Sequence, residues 1–133
     1  DIKTSKLPPN MLLKGLFGSY DEIPFEKCDA WLYTSQWDGV PTILIELGLR
    51  AIPVVASRVW GTSDVINEKT AWPVDDVANV LAYEQGLKFF IENPGEALER
   101  GTNFQQHILK QHNRNDYMAA VNAEIEQDSW RAC

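Results

Sequence analysis

Two apolar, strand-like runs on either side of a proline-opened helix constrain this chain more than any other feature. They are Ala30-Trp31-Leu32-Tyr33-Thr34 and Pro53-Val54-Val55-Ala56-Ser57, with Pro41-Thr42-Ile43-Leu44-Ile45-Glu46-Leu47-Gly48-Leu49-Arg50 between them. Both runs are nearly continuous in apolar residues, the pattern of strands covered on both faces. Proline favours the first helical position, so Pro41 is expected to open the intervening helix. That helix is apolar nearly all round and should be buried. A strand, a covered helix and a second covered strand in succession imply a parallel sheet.

The remaining segments extend the same pattern. Met11-Leu12-Leu13-Lys14-Gly15-Leu16-Phe17-Gly18 reads as a further buried strand closed by glycine. Tyr20 to Cys28 has room for about two helical turns, with Pro24 suited only to the first of them. Gly61 to Ile66 reads as a loop running into a short helix capped by serine or threonine, and Ala71-Trp72-Pro73-Val74 as a weak last strand that its proline places near an edge. Further on, Val77, Val80, Leu81, Leu87 and Ile91 are expected to share one buried helical face. Asn93-Pro94-Gly95 breaks that helix, and Ala97, Gly101, Phe104 and Ile108 form the stripe of the next. A third helix is expected to start at Asn113, with Asp116 three residues on, and to bury Tyr117, Val121 and Ile125. The fold class is therefore α/β: a Rossmann-like parallel sheet with helices on both faces, ending in amphipathic helices.

With 133 residues and 44% hydrophobic composition, the chain has material for one core, so residues 1–133 are read as a single domain. The longest apolar stretch, Ile43 to Ala56, is interrupted by Glu46 and Arg50 and falls short of the ~20 apolar residues of a membrane span. Asp1-Ile2-Lys3-Thr4-Ser5-Lys6 leads into no apolar signal core, and a cytoplasmic location is expected. The formal charge of −7, without a basic cluster, argues against nucleic acid or an anionic membrane as partner. An anionic ligand would have to be held by local dipoles. Cys28 and Cys133 imply neither a disulfide framework nor a metal site.

In an open parallel sheet, ligands bind beyond the carboxyl ends of the strands. The loop Thr34 to Pro41 occupies such a place. Gly39 leaves the backbone open to approach, and the first amides of the helix after Pro41 make an end with about half a positive charge, suited to a pyrophosphate. Thr42, Ile45, Glu46 and Leu49 share one face of that helix. A carboxylate in so apolar a stretch should be paired or functional. Glu46 could accept two hydrogen bonds from a ribose diol, or pair with Arg50 four residues on.

The run Tyr33-Thr34-Ser35-Gln36-Trp37-Asp38-Gly39-Val40-Pro41-Thr42-Ile43-Leu44-Ile45-Glu46, continued to Ser57, resembles the donor-binding signature of the glycogen-synthase-like and sucrose-synthase-like retaining glycosyltransferases, two-lobed enzymes of the GT-B fold. Val59-Trp60-Gly61-Thr62-Ser63-Asp64-Val65-Ile66 resembles the family's glycine-rich loop and the acidic residue after it. Leu16-Phe17-Gly18 and Phe25 to Ala30 are similar to the strand and helix that lead to the signature. The resemblance implies that Glu46 holds the ribose hydroxyls and that Asp38 stands where the family has its first glutamate, leaning toward the reacting sugar. Aspartate is one methylene shorter, which bears on reach and donor preference. By the same resemblance, Ser35, Gly39, Val40, Pro41 and Thr42 face the diphosphate and sugar, and Phe17 and Gly18 lie near the base.

The resemblance further implies metal-independent transfer of a hexose-type sugar from a nucleotide-diphospho-sugar, with no additional cofactor, in polysaccharide or glycoconjugate biosynthesis. The family's basic arginine and lysine pair and its acceptor-binding lobe have no counterpart in these residues. The chain is thus expected to be a C-terminal donor lobe from a longer enzyme, inactive in transfer alone. The other lobe would choose the carbohydrate or lipid-linked acceptor, and would carry any peripheral attachment of the full enzyme to a membrane. The alternative is a non-catalytic nucleotide- or protein-binding module in which Asp38 and Glu46 merely pair with nearby bases. A receiver-like domain lacks its acidic cluster, since Asp21 and Glu22 have no acidic partner motif. Trp31 and Trp72 read as packing residues, and Trp37 and Trp60 as exceptions placed in the mouth loops. His107 and His112 read as structural or surface residues. Arg58 could reach a phosphate or pair with an acidic neighbour. Ser35 and Ser63 lack the elbow and histidine of a nucleophilic serine.

Overall fold

The computed structural model of the chain describes residues 7–127. Three parallel strands lie in chain order, β1 (Trp31–Tyr33), β2 (Val54–Ser57) and β3 (Trp72–Val74). β2 is the middle strand, aligning Val54 with Trp31 and Ala56 with Tyr33 on one side, and Val55 with Trp72 and Ser57 with Val74 on the other. All four of its residues are fully buried, which is why the run carries no alternation of polar positions.

Successive strand residues point to opposite faces, and each face has its own helices. Val54 and Ala56 join Leu44 and Leu47 of α1 (Thr42–Leu49) and Phe104 and Ile108 of α3 (Pro94–Gln111). Val55 joins Val74, Ala97, and Tyr83 and Phe90 of α2 (Val80–Glu92). Burying each of the Val, Leu, Ile and Phe side chains among them contributes about 1.5–3 kcal/mol, so the two layers supply most of the drive to fold. The expected stripe Ala97, Gly101, Phe104 and Ile108 is buried throughout.

Several expectations need correction. Met11 to Gly18 forms no strand: Gly15 has φ of +82°, which interrupts an extended run, and Met11, Leu12, Leu16 and Phe17 are exposed. The buried face of α2 is Tyr83, Gly86 and Phe90, while Val80, Leu81 and Ile91 face solvent. Asn79 caps this helix by accepting the Ala82 amide, leaving Val77 outside it, and Gly86 seats the Trp72 ring, so the aromatic face turns to the sheet. α4 (Arg114–Gln127) starts where expected, with the Asn113 side chain accepting from Asn115 and Asp116, yet Tyr117 and Ile125 are exposed and Val121 is only half-buried. Helical spacing made that stripe; it does not supply a partner. Pro41 stands one residue before the helix, extended at φ −70° and ψ 124°, with its carbonyl accepting the Leu44 amide.

Tyr20 to Cys28 forms two 3-10 turns, Tyr20–Glu22 and Phe25–Lys27. A further 3-10 turn, Trp60–Asp64, takes the place of the expected loop and short helix. Among the described residues, no helix is long and apolar enough to cross a membrane.

Where α3 crosses the end of α1, a Cβ on Gly101 would lie 2.2 Å from the Ala51 carbonyl oxygen. Gly101→Ala gains about 1 kcal/mol of helix propensity, but the backbone at Ala51 cannot yield without moving the chain that enters β2, an overpacking cost of about 1–3 kcal/mol. We expect a net loss of stability in chemical denaturation. An unchanged or higher midpoint contradicts this packing.

Candidate functional site

The chain leaves β1 into residues 34–41 and leaves β2 into residues 58–64, and these two loops meet beyond the carboxyl ends of the strands. Ser57, buried at the end of β2, donates its hydroxyl to the Ser35 carbonyl at 2.6 Å. Opposite it, a Cβ on Gly61 would fall 2.5 Å from the Gly39 carbonyl carbon and 2.9 Å from the Val40 nitrogen. Only glycine lets the two backbones come this close. The Thr62 side chain, wholly buried, accepts the Val59 amide at 2.7 Å and reaches the Ser57 and Val59 carbonyls at 3.0 and 2.7 Å. Its single hydroxyl proton serves one of these two at a time.

The expected site residues fall into three places. Ser35, Asp38, Gly39, Val40, Pro41 and Thr42 run through the first loop into the start of α1, beside the second loop. Asp38 is half-buried, and the Tyr33 hydroxyl donates to its Oδ2 at 2.5 Å. Burial, and then this bond, push the Tyr33 phenol up, which keeps it a donor. Glu46 lies one turn beyond Thr42 and is paired with Arg50, whose guanidinium also donates to the Glu46 carbonyl at 3.1 Å and sits 4.6 Å over the Phe25 ring. Of the two roles open to Glu46, the structure holds the ion pair. Gly18 belongs to a third segment: its amide donates to Glu22 at 3.0 Å, and the following Tyr20 hydroxyl shares a 2.7 Å hydrogen bond with Thr42 Oγ1. That bond brings the Gly18 to Tyr20 turn to the start of α1.

Two indoles stand on the mouth. Trp37 and Trp60 have ring centroids 4.6 Å apart and planes tilted by 58°, and they are 71% and 67% exposed. Trp60 has φ of +43°, a left-handed conformation that costs a non-glycine residue about 1–2 kcal/mol. By contrast Trp31 packs on Phe25 and Trp72 on Phe89, the structural use expected of them.

Arg58 takes its acidic-neighbour role. Its Nε and Nη2 hold both oxygens of Asp75 at 2.7 and 2.8 Å, and Nη1 meets Glu68 at 2.5 Å. The pairing raises the Arg58 guanidinium, chiefly through Asp75, and Arg58 holds the Asp75 carboxyl below its usual range. Glu68 is lowered too, by its own backbone amide first and then by Arg58. His107 Nε2 lies 3.2 Å from the Asp64 carbonyl oxygen. Burial, with Glu26 and Asp29 nearby, pushes the Cys28 thiol up; Cys133 lies outside the described residues. Among the described residues, no three histidine, cysteine or acidic side chains gather as a metal site.

An open depression of about 440 Å³, lined by Tyr20, Ile23, Phe25, Glu26, Arg50 and Ile52, runs beside α1 from the Tyr20 turn, which bonds Thr42, to Arg50, the partner of Glu46. The residues that sequence reasoning passes over are Tyr33 and Thr62. Tyr33 reads only as strand, and Thr62 carries one signal, a threonine three residues after Val59 where a tight turn begins. Comparison with protein-family models, curated proteins and solved structures finds no match to this chain.

Thr62→Val preserves shape while removing the partner of the part-buried Val59 amide and the contact to the Ser57 carbonyl, a penalty of about 1–3 kcal/mol. We expect a denaturation midpoint lowered accordingly, and amide exchange at residues 59–63 accelerated more than in β2. Equal loss of protection across both contradicts a local role.

Proposed function

We propose that this chain binds a nucleotide-diphospho-sugar and acts as the donor-holding domain of a retaining glycosyltransferase. The observation that carries the reading is the joining of the Ser35–Thr42 loop, with Asp38 and Glu46 in the spacing of the glycosyltransferase signature, to the Arg58–Ser63 loop at the carboxyl ends of β1 and β2. On this reading the diphosphate rests at the start of α1, where amide dipoles favour negative charge in an otherwise acidic protein. The same dipoles stabilise the charge that gathers on the leaving diphosphate as the bond to the sugar breaks. Asp38 faces the sugar, and Tyr33 steadies it through Oδ2. Glu46 exchanges Arg50 for the ribose hydroxyls. An exposed pair four residues apart on a helix contributes only about 0.3–0.5 kcal/mol, so the exchange costs little. Sugar transfer to a carbohydrate or lipid-linked acceptor would require a second lobe facing this one.

The Glu46–Arg50 pair also favours a second reading, a non-catalytic module whose helix mouth accepts any anion and whose carboxylates are structural. Calorimetric titration with UDP, GDP, ADP and inorganic phosphate separates the two. A donor domain prefers one nucleoside diphosphate over phosphate, and Glu46→Ala weakens that binding about tenfold or more, the worth of hydrogen bonds to a charged group. Arg50→Gln frees Glu46 and should tighten it. Equal affinity for phosphate and all three nucleotides, unaffected by either substitution, would leave the module reading in place of the donor reading.

A further inference from the structure

We propose that Trp37 and Trp60 form a preorganised stacking platform for the pyranose ring of a neutral saccharide. An exposed tryptophan gains little from packing, yet Trp60 holds a left-handed backbone that glycine would adopt without strain. Strain of this kind persists where the surrounding structure enforces it, and is concentrated at binding sites. The enforcement here is visible in each loop. Ser35 Oγ donates to the Trp37 carbonyl at 3.1 Å, Ser63 Oγ donates to the Trp60 carbonyl at 2.7 Å, and Thr62 locks the turn from beneath. Gly61 against Gly39 then fixes the distance between the two indoles. Their orientation is set before any ligand arrives, which lowers the entropy cost of binding.

The geometry selects the ligand. At 4.6 Å between centroids nothing fits between the rings, and the 58° tilt presents an open angle rather than a parallel slot for a flat base. The negative face of an indole attracts the weakly positive C–H face of a sugar chair. Gln36 and Asp38 flank Trp37 in the chain, and Ser63 and Asp64 follow soon after Trp60, so both loops carry polar side chains of the kind that bond ring hydroxyls. Two indoles are also far smaller than a protein-docking surface. A saccharide on the two indoles does not require a nucleotide at the start of α1, so saccharide binding and donor binding can fail independently.

The test is a proton–nitrogen correlation titration of the whole chain, following the indole N–H signals of Trp37 and Trp60, assigned through Trp37→Ala and Trp60→Gly. The probes are maltotetraose, cellotetraose and mannotetraose, with uridine and adenosine for comparison. Expected are saturable shifts of both indoles with at least one oligosaccharide, in the millimolar range, weakened about tenfold or more in each variant, while Trp60→Gly melts at the same or a higher temperature than the parent. The inference is overturned if no saccharide shifts either indole at tens of millimolar, if only the nucleosides do, or if Trp60→Gly retains full saccharide binding.

Discussion

Everything in this chain is arranged around the complete burial of β2. Val54 and Ala56 press on α1 and α3 while Val55 presses on the layer of α2, so the strand cannot shift by one residue without exchanging its two sets of contacts. Its last residue is where the core turns into a site. Ser57 is polar and buried, and its hydroxyl and carbonyl are both used: the hydroxyl reaches back to Ser35 in the first loop, and the carbonyl lies within reach of Thr62 in the second. The positions of both loops are therefore consequences of the core, and the close backbone contact of Gly61 with Gly39 and Val40 results from them.

On the proposed donor reading, an anion must be held beside carboxylates. The formal charge of −7 would repel a diphosphate at long range, and Arg58, at the head of the second loop, is already committed to Asp75 and Glu68. The place left for an anion is the start of α1, where the field is local and directional. The two carboxylates of the mouth are held differently. Asp38 is steadied in the loop by a neutral donor, whereas Glu46 is held by a partner that binds it weakly enough to be exchanged.

The portion of the fold written in local pattern was legible in the sequence. Continuous apolar runs gave β1 and β2, the apolar run after Pro41 gave α1 one residue later than expected, and the stripe from Ala97 to Ile108 gave the buried face of α3. Asn113 marked the start of α4 through its side-chain oxygen. Where the outcome depends on partners distant in sequence, pattern was insufficient. Met11 to Gly18 has a strand's composition, but glycine in the left-handed region breaks it. α2 turns Tyr83 and Phe90 inward in preference to Leu81 and Ile91 because Trp72 of β3 packs on Gly86. In the site, the grouping of Ser35 to Thr42 was legible because those residues are contiguous. The bond from Tyr33 to Asp38, the locking role of Thr62 and the contact of Trp37 with Trp60 were not, since each depends on how one loop folds over another.

That the two loops form a single ligand-binding mouth is the central claim, and amide chemical-shift mapping during titration with the nucleoside diphosphate that binds most tightly tests it most directly. Perturbations concentrated in residues 35–42 and 58–63 together, with Glu46 and Arg50 following and the core of β2 unmoved, are the predicted result. Perturbations centred instead on the amides around Pro53, Pro94 and Leu98, at the amino ends of the strands, would contradict it.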